Sequence, residues 1–520
     1  MEPALHDQVQ MVRALQRFLE QPAEMLETHI SWVLLSGEFA YKIKKAVNLG
    51  FLDFSTLEKR GYYCAEEVRL NLRLAPELYL EVTAITGGAE SPALNGSGPD
   101  IDYAVKMRRF PQSCLLDQVL QRDELSPATA DAIARKVADF HGRVEIAHSG
   151  IPFGTPERVH QPATQNFAQI RTRLGEQGKD LDVLELWSEQ MYRSLFTAFA
   201  TRKALGFIRE CHGDLHLGNI MLLNGQVVPF DCIEFNEDLR WIDVISEAAF
   251  LAMDLFARER PGLARRFLNA YLEQTGDYAG LEVLRYYLVY RAMVRAKVAC
   301  IRAEQEGPAG GRDDPGARFH HYIRLAASFT RHTRPFLAIN HGLSGSGKTT
   351  LTQSLLEEMD LFRVRSDVER KRLYGLKPEA RSSAGMGEGI YSPEAGRRTY
   401  RRLAELARSI IRSGYPVVVD AAFLRRRERT DFQELAQELG VPFVILDFEA
   451  PERLLRERVK QRLQSGHDAS EAIVAVLESQ IRNREPLQGA ELAQSIKVDT
   501  EQAADAKKLA DRLAVATSCR

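Results

Sequence analysis

The sequence predicts two folded parts of different class, an α+β bilobal part followed by an α/β part with a five-stranded parallel sheet. Strand-like runs concentrate in the first 110 of the 520 residues, and helical periodicity dominates from there to about residue 332. Strand-like and helical segments then alternate, which is typical of a parallel sheet covered by helices on both faces. We therefore predict one domain at 1–332, with a small lobe at about 25–110 and a helical lobe at 111–332, and a second domain at 333–520.

The composition excludes some classes of protein. Lys and Arg number 69 and Asp and Glu 71, for a formal net charge of −2, so stable bulk binding to nucleic acid is not expected. Six scattered cysteines without a C-x-x-C pair favour a reducing compartment over a disulfide scaffold. The N-terminus has no apolar core of a secretory signal, and no apolar run approaches the ~20 residues that cross a bilayer. We expect a soluble, cytoplasmic protein with no membrane partner.

The first domain is predicted to begin with a helical segment, to turn strand-rich in a small sheet, and then to continue mainly with helices. Ser36-Gly37-Glu38 separates two β-branched and aromatic runs and indicates a hairpin. A loop-like stretch at 90–100 is expected to connect two further strands. The predicted segments are strands at 29–35, 39–44, 79–85 and 103–108, helices at 63–73 and across 115–204, a loop and strand block at 211–235, and helices to about residue 300.

The second domain is predicted to follow a loop-like stretch at 307–316 and a helix at 320–332. Short apolar runs bounded by polar residues predict its strands, and longer periodic segments predict the helices between them. The predicted strands lie at 336–340, 362–365, 416–420, 442–447 and 495–498, and the helices include 349–359, 396–413 and 451–464.

Residues 342–349 fit the pattern G-x-x-x-x-G-K-[ST] in full and lie between a predicted strand and a predicted helix. Glycines let consecutive backbone N–H groups converge on phosphate oxygens, and the N-terminus of the following helix favours the same anion. Lys348 is expected to reach the β- and γ-phosphates of ATP, and Thr349 to bind Mg²⁺. The predicted nucleotide-binding residues are Gly342, Ser344, Gly345, Ser346, Gly347, Lys348, Thr349 and Thr350.

Four more side chains are candidates for phosphoryl transfer in the second domain. Asp367 ends a predicted strand and could accept a proton from a substrate hydroxyl, or could cap the next helix. Asp420 ends another strand and is either a carboxylate of the Mg²⁺ site or a strand-end cap. Arg458 and Arg462 lie on one helical face, where they could neutralise charge on the transferred phosphoryl group or form a solvated basic surface.

The second domain resembles the small P-loop kinases of the zeta-toxin, chloramphenicol phosphotransferase and polynucleotide-kinase type over about residues 335–515. The resemblance rests on the phosphate-binding loop, Ser366-Asp367-x-x-Arg370, Asp420 and the two arginines. It implies that Asp367 is the catalytic base and Arg370 a contact to substrate or phosphate. The acceptor differs among these families, so the resemblance indicates a reaction type without a substrate.

The most specific pattern in the first domain is H-G-D-x-H-x-x-N at residues 212–219, followed by Asp231 after an apolar run. This spacing has a chemical interpretation in phosphoryl transfer. Asp214 would lie beside the attacking hydroxyl as base or orienting group, while Asn219 and Asp231 would hold the Mg²⁺ that bridges nucleotide phosphates. His212 and His216 are expected to organise the loop through hydrogen bonds.

That block resembles the aminoglycoside phosphotransferase and choline kinase branch of the protein-kinase-like fold. The resemblance implies a nucleotide-binding lysine in the third strand of the small lobe, where Lys42 is favoured over Lys44. It implies a partner for that lysine on the following helix, Glu67 rather than Glu66. Asp243 would brace the catalytic loop or cap a helix. No G-x-G-x-x-G precedes the lysine, which is a departure from protein kinases.

Together the two parts resemble bacterial fusion proteins that join an aminoglycoside-phosphotransferase-like domain to an ATP-binding P-loop kinase domain. We therefore predict an ATP-dependent phosphotransferase with two Mg-ATP sites that act on hydroxyl acceptors of a small molecule, a nucleotide or an RNA end. The alternative is a regulatory nucleotide-binding protein in which one domain is a pseudokinase or restrains a toxin-like P-loop kinase. Intact Asp214, Asn219 and Asp231 favour the enzyme, and the missing glycine loop favours the alternative.

Overall fold

A six-stranded antiparallel sheet and a five-stranded parallel sheet organise the chain in the computed structural model. The model divides into two units by packing, Met1–Gln177 with Glu189–Asp254 and Gly178–Ser188 with Leu255–Arg520. The predicted domain boundary between residues 332 and 333 stays a prediction. The structure describes residues 3–19, 21, 23–50, 52–148, 150–174, 179–306, 315–380, 382, 388–465, 473–502 and 505–518. Within these ranges, none of the helices combines the length and apolarity needed to cross a bilayer.

The elements up to residue 257 are a first helix, the small sheet with one helix, and then mainly helices, as the sequence predicts. In chain order they are α1 (Pro3–Phe18), β1 (Ala23–Glu27), β2 (Ser31–Ser36), β3 (Phe39–Lys44), α2 (Leu57–Asn71), β4 (Tyr79–Gly88), β5 (Ser91–Leu94), β6 (Asp100–Arg108), α3 (Leu116–Gln121), α4 (Pro127–Arg143), α5 (Pro156–Leu174), α6 (Lys179–Ala204), β7 (Ile208–Glu210), β8 (Ile220–Leu223), β9 (Gln226–Pro229), α7 (Glu237–Arg240), β10 (Trp241–Asp243) and α8 (Val244–Ala257).

The antiparallel sheet has the strand order β1-β2-β3-β6-β4-β5, and its inner strand β3 carries the lysine predicted to bind nucleotide. Alternate residues of a strand point to opposite faces. Tyr41 and Ile43 accordingly pack in a core cluster with Leu15 of α1. Lys42 and Lys44 reach the other face, which α2 covers.

Three predictions in the small lobe need correction. The stretch predicted as a loop at 90–100 contains the edge strand β5, in which Pro92 needs no ladder hydrogen bond of its own. β1 is missing from the prediction because Leu26, an apolar residue at an exposed position, interrupts the alternation of apolar and polar residues in this short strand. Helix α2 begins at Leu57, well before the predicted start at 63, because the Thr56 side chain caps it by accepting from the Lys59 amide. Residues 307–314 of the predicted loop at 307–316 lie outside the described residues.

The five strands predicted for the second domain are confirmed, and they form an all-parallel sheet of order β12-β13-β11-β14-β15. The elements from residue 261 on are α9 (Pro261–Thr275), α10 (Leu281–Glu306), α11 (Pro315–Phe329), β11 (Leu337–His341), α12 (Lys348–Glu358), β12 (Phe362–Arg365), α13 (Ser366–Leu373), α14 (Pro393–Arg412), β13 (Val417–Asp420), α15 (Arg426–Leu439), β14 (Phe443–Glu449), α16 (Glu452–Ser465), α17 (Val474–Asn483), α18 (Ala490–Ala493), β15 (Ser495–Asp499) and α19 (Ala506–Ser518).

The inner strands β11 and β13 of the parallel sheet are buried on both faces, which explains why their sequences are nearly continuous apolar runs. Every residue of β11 and β13 is buried. One face packs against α12 and α19 through Leu355, Val418 and Leu513. The carboxyl ends of the strands meet at one edge, where an open α/β sheet binds ligands.

Candidate active sites

In the first unit, residues 212–219 connect β7 to β8, and a turn after β9 brings Asp231 to them. Phe230, the residue before Asp231, accepts a hydrogen bond from His212 Nε2 at 2.7 Å. Its amide donates to the Asn219 carbonyl at 2.9 Å. Asp231 itself has a positive φ of 64°, a backbone conformation that residues other than glycine seldom adopt. These backbone contacts bring together three of the predicted site residues.

His212 is a neutral, fully buried organiser of this loop. Burial lowers the pKa of His212, although Glu247 and Asp214 oppose the shift. With Nε2 donating to Phe230, Nδ1 is the acceptor, and it receives the Asp214 amide at 3.3 Å. His216 Nδ1 accepts the Gly218 amide at 3.1 Å, and its Nε2 lies 3.4 Å from Asp214 Oδ2. Both histidines therefore shape the loop through hydrogen bonds.

The side chains predicted to hold a cation form an oxygen-rich group. Asn219 Nδ2 donates to the Asp214 carbonyl and to Asp214 Oδ2, each at 3.0 Å, so the Asn219 carboxamide oxygen is the atom left to face a cation. Asp231 is 41% exposed and its Oδ1 lies 2.7 Å from Lys42 Nζ. The Asp231 carboxylate and the Asn219 carboxamide are hard oxygen ligands of the kind Mg²⁺ binds. The donor set therefore fits the predicted metal.

The structure places Lys42 rather than Lys44 at the open side of the site. Lys42 Nζ lies 2.8 Å from Glu67 Oε1 and 2.7 Å from Asp231 Oδ1, and 16% of its side chain is exposed. Lys44 is 1% exposed and pairs with Glu67 at 2.5 Å and with Glu234. Burial by itself would lower the pKa of Lys42, but Asp231 and Glu67 outweigh it and raise the pKa. Lys42 is thus held charged beside the predicted metal carboxylate.

Sequence reasoning missed the residue that braces the catalytic loop. Glu247 in α8 is 1% exposed and accepts the Gly213 amide at 2.7 Å. Its other oxygen lies 2.7 Å from His141 Nε2. Asp243, predicted either to brace this loop or to cap a helix, pairs with Arg202 and accepts the Ile245 amide at the start of α8 at 2.9 Å, which is the contact of a helix cap. A glutamate one helical turn after Asp243 was the only available signal in the sequence.

We expect Glu247→Ala to lower the free energy of unfolding by about 2–4 kcal/mol, because it leaves a buried amide and a buried imidazole without their acceptor. Urea unfolding followed by tryptophan fluorescence measures this change. Glu77→Ala removes an exposed carboxylate of the same unit and is the matched control. Equal urea midpoints for the two variants would contradict the role assigned to Glu247.

In the second unit, the loop between β11 and α12 has the backbone that a phosphate cradle requires. Gly342, Gly345 and Gly347 have φ values of 151°, 84° and 81°. A side chain would not fit at the first two positions, because a Cβ at Gly342 would lie 2.8 Å from the Phe448 carbonyl oxygen and one at Gly345 2.8 Å from the Leu455 carbonyl oxygen. The glycines are thus needed for close packing as well as for conformation.

The predicted lysine and threonine of this loop lie beside Asp420. Lys348 Nζ donates to the carbonyls of Gly342 and Leu343 at 2.8 and 2.7 Å. Thr349 Oγ1 donates to Asp420 Oδ2 at 2.8 Å, and Asn340 Nδ2 donates to Asp420 Oδ1 at 2.9 Å. A hydroxyl held by a buried carboxylate is a donor set that suits Mg²⁺, so these residues fit the predicted metal.

The remaining predicted residues of the nucleotide loop differ in burial and contacts, and Arg458 contacts this loop. Ser344 donates its amide to Gln480 at 2.9 Å, Ser346 is buried, and Thr350 is exposed. Arg458 donates to the Gly345 carbonyl at 3.3 Å and to the Thr500 carbonyl at 2.6 Å, so it braces the loop.

The predicted base and its arginine follow β12 in helix α13. Asp367 is the second residue of α13 and the N-cap position is Arg365, so Asp367 is not the cap. Arg370 donates to the Ile390 carbonyl at 3.3 Å, and its guanidinium lies 5.3 Å from the centre of the Tyr391 ring. Asp367 and Arg462 both lie near enough to Lys348 to influence its pKa. The site roles of these residues stay predictions.

We expect the affinity of this loop for ATP to fall as pH rises above about 8. Desolvation lowers the pKa of Lys348 to about 8, against the opposing effect of Asp420 and Asp367. The charged lysine predominates below that pH and attracts phosphate, so affinity should weaken by up to about tenfold per pH unit above it. Titration with a fluorescent ATP analogue from pH 7 to 9.5 measures the change.

Two variants control this titration. Lys348→Ala should lose the part of the ATP binding that weakens above about pH 8, because the titrating group is gone, and should keep only the binding of the site that contains Lys42. Lys508→Ala, which removes an exposed lysine of the same unit, should keep the wild-type pH dependence. Wild-type affinity that stays constant across the range would contradict the assignment of the titration to Lys348.

These folds and sites define a protein-kinase-like phosphotransferase part followed by a P-loop kinase part. Family models match both: residues 63–285 match the phosphotransferase enzyme family, and residues 337–487 match an AAA domain. The resemblance inferred from the motifs is thereby confirmed, and the chain carries kinase-type, nucleotide-binding domains of two different folds.

Several known proteins are similar to this chain. An uncharacterized protein of Mycobacterium tuberculosis (strain H37Rv) is 29% identical over 456 residues, which cover 87% of this chain and 89% of that protein. Adenylyl-sulfate kinase of Myxococcus xanthus is 30% identical over 110 residues, 21% of this chain and 55% of that kinase.

Solved structures similar to each part have low sequence identity. A choline/ethanolamine kinase family protein of Mesorhizobium loti is 14% identical with a TM-score of 0.36, covering 63% of this chain and 95% of that one. A gluconokinase of Sinorhizobium meliloti is 19% identical with a TM-score of 0.25, covering 36% of this chain and 94% of that one.

Proposed function

We propose that the chain is an ATP-dependent phosphotransferase with two independent Mg-ATP sites, one in each kinase-type part. Each site would transfer the γ-phosphoryl group to a hydroxyl acceptor on a small molecule, a nucleotide or an RNA end. The observation that carries the proposal is that each part holds a phosphate-directed lysine close to a carboxylate suited to Mg²⁺. In the first part these are Lys42 and Asp231, and in the second Lys348 and Asp420.

In the first part, the charge state of the site supports an active enzyme. Lys42 keeps its positive charge, so it can contact nucleotide phosphates once they compete for it with Asp231. Asp214 carries the carboxylate that would orient or deprotonate the acceptor hydroxyl. Bound Mg²⁺ would neutralise charge on the phosphate oxygens. A pseudokinase would not need to keep Asp214, Asn219 and Asp231 in one connected group.

In the second part, the loop backbone and its threonine support phosphoryl transfer. The amides of the glycine-rich loop and the N-terminus of α12 would bind phosphate oxygens, and Lys348 would leave its two carbonyl acceptors for the same ligand. Asp367 would accept the proton of the acceptor hydroxyl, with Arg370 beside the acceptor. The similarity to adenylyl-sulfate kinase supports a nucleotide as one class of acceptor.

We expect one variant in each part to remove one activity and spare the other. Asp214→Ala should abolish transfer by the first site, and Lys348→Ala transfer by the second, because each takes away a group that meets the reacting phosphate or hydroxyl. A screen with γ-labelled ATP over metabolites, aminoglycosides, nucleotides and RNA ends, run on the wild type and both variants, measures the two activities.

The controls for this screen are conservative exposed changes, Glu77→Gln in the first unit and Lys508→Gln in the second, which should leave every labelled product unchanged. If Asp214→Ala changes no product while Lys348→Ala does, the first part is a regulatory nucleotide-binding domain. If neither variant changes any product, the two-site enzyme is contradicted.

A further inference from the structure

β12 is an edge strand of the parallel sheet, and helix α9 covers it. Helix α9 lies within residues 63–285, the segment that matches the phosphotransferase family. β12 pairs with β13 on one side only, so its other side presents unpaired backbone groups. Asn269 of α9 satisfies two of them, since its Oδ1 accepts the Arg363 amide at 3.0 Å and its Nδ2 donates to the Leu361 carbonyl at 3.2 Å. Tyr278 donates to the Arg363 carbonyl at 3.3 Å. α9 therefore completes the sheet of the P-loop kinase part.

One helical turn after Asn269, Glu273 binds two arginines of the same strand. Glu273 Oε1 lies 2.9 Å from Arg365 Nη1, and Glu273 Oε2 lies 3.3 Å from Arg363 Nη2. The Glu273 carbonyl also accepts a hydrogen bond from Arg372 of α13. Burial by itself would raise the pKa of Glu273, but Arg365 and Arg363 outweigh it and lower the pKa. The carboxylate is therefore ionised and holds both guanidinium groups.

The two arginines connect Glu273 to two regions of the candidate active site, the start of α12 with Thr349 and the start of α13 with Asp367. Arg363 also donates to the Thr349 carbonyl at 3.1 Å and to Gln353 at 2.7 Å, so it fixes the first turn of α12, which carries the predicted Mg²⁺ hydroxyl. Arg365 is the N-cap residue of α13 and directly precedes Ser366 and the predicted base Asp367. A single carboxylate thus connects to the nucleotide side through one arginine and to the acceptor side through the other.

We propose that Glu273 is a positioning residue of the P-loop kinase site, through which helix α9 sets the placement of Thr349 and Asp367. This inference rests on the proposed function of the second part. Its consequence is that the P-loop kinase is not complete within residues 337–487, because its site takes a charged group from the segment matched by the other family model. The linkage gives the two family segments a shared structural element within one unit.

The test compares charge, length and balance at Glu273 in the full-length protein. Glu273→Gln keeps the size and removes the charge, and Glu273→Asp keeps the charge but is too short to reach both arginines. Glu273→Gln combined with Arg365→Met restores the charge balance of the cluster, because it leaves one buried cation fewer. Glu282→Gln, an exposed carboxylate of α10, is the matched control.

Two readouts separate positioning from a purely structural role. The first readout is the dissociation constant of a fluorescent ATP analogue, measured once with Mg²⁺ and once with EDTA. Only the part of the binding that is absent in Lys348→Ala is counted. The second is the melting temperature. We expect Glu273→Gln to lose at least about tenfold of the gain in affinity that Mg²⁺ gives, and Glu273→Asp to be intermediate. The double variant should recover the melting temperature without recovering the Mg²⁺-dependent affinity, and Glu282→Gln should match the wild type.

Recovery of both quantities in the double variant, or an unchanged Mg²⁺ gain in Glu273→Gln, would overturn the proposal and leave Glu273 as a stabilising group. Failure of the proposed function is a different result. In that case the wild type binds ATP no better than Lys348→Ala, or binds it without transferring phosphate to any acceptor in the γ-label screen. Binding without transfer would still allow the Mg²⁺ comparison to decide the role of Glu273.

Discussion

A carboxylate largely withdrawn from water and held between two cations is the interaction that both candidate sites share. Burying a charge is strongly unfavourable unless partners replace its hydration, and breaking a buried pair leaves an uncompensated charge. Glu67 meets this requirement between Lys42 and Lys44, and Glu273 meets it between Arg363 and Arg365. In each cluster one cation also contacts a residue of the candidate nucleotide site, Lys42 contacting Asp231 and Arg363 contacting Thr349. The energy that keeps the cluster together therefore also keeps a phosphate-site group in place before any ligand binds.

The two clusters differ in where their carboxylate comes from. Glu67 lies on α2, the helix that packs directly on the strand carrying Lys42, so the first cluster is internal to its small lobe. Glu273 lies outside the parallel sheet and reaches it across an open edge. An unpaired edge strand is a liability that proteins usually cover, and here Asn269 and Tyr278 cover it with hydrogen bonds to backbone groups of Leu361 and Arg363. Edge protection and active-site support are supplied by the same short segment.

Local patterns predicted most of the second fold, because each buried parallel strand is a short apolar run and each helix is periodic. The same patterns placed the phosphate-binding loop, Asp420 and the 212–219 block, where chemistry demands particular residues at fixed spacing. They failed where a side chain acts through a distant partner. Glu247 and Glu273 lie in helices with no motif, and their acceptor roles arise only from tertiary contacts with Gly213 and Arg365. Strand β1 was missed because the exposed apolar side chain of Leu26 interrupts the alternation of apolar and polar residues.

Sequence similarity and packing assign residues 261–280 to different parts of the protein. Sequence similarity places these residues with the phosphotransferase segment, whereas packing places them in the unit that contains the parallel sheet. Both statements hold because helix α9, which lies in the phosphotransferase segment by sequence, supplies polar contacts to the parallel sheet. Asn269 and Glu273 are one turn apart on α9 and both bind β12, so such a contact needs only one amphipathic face. The contacts of Glu273 with Arg363 and Arg365 therefore connect the segment that matches the phosphotransferase family to the sheet that carries the second candidate site, so a linker is not the only connection between the two family segments.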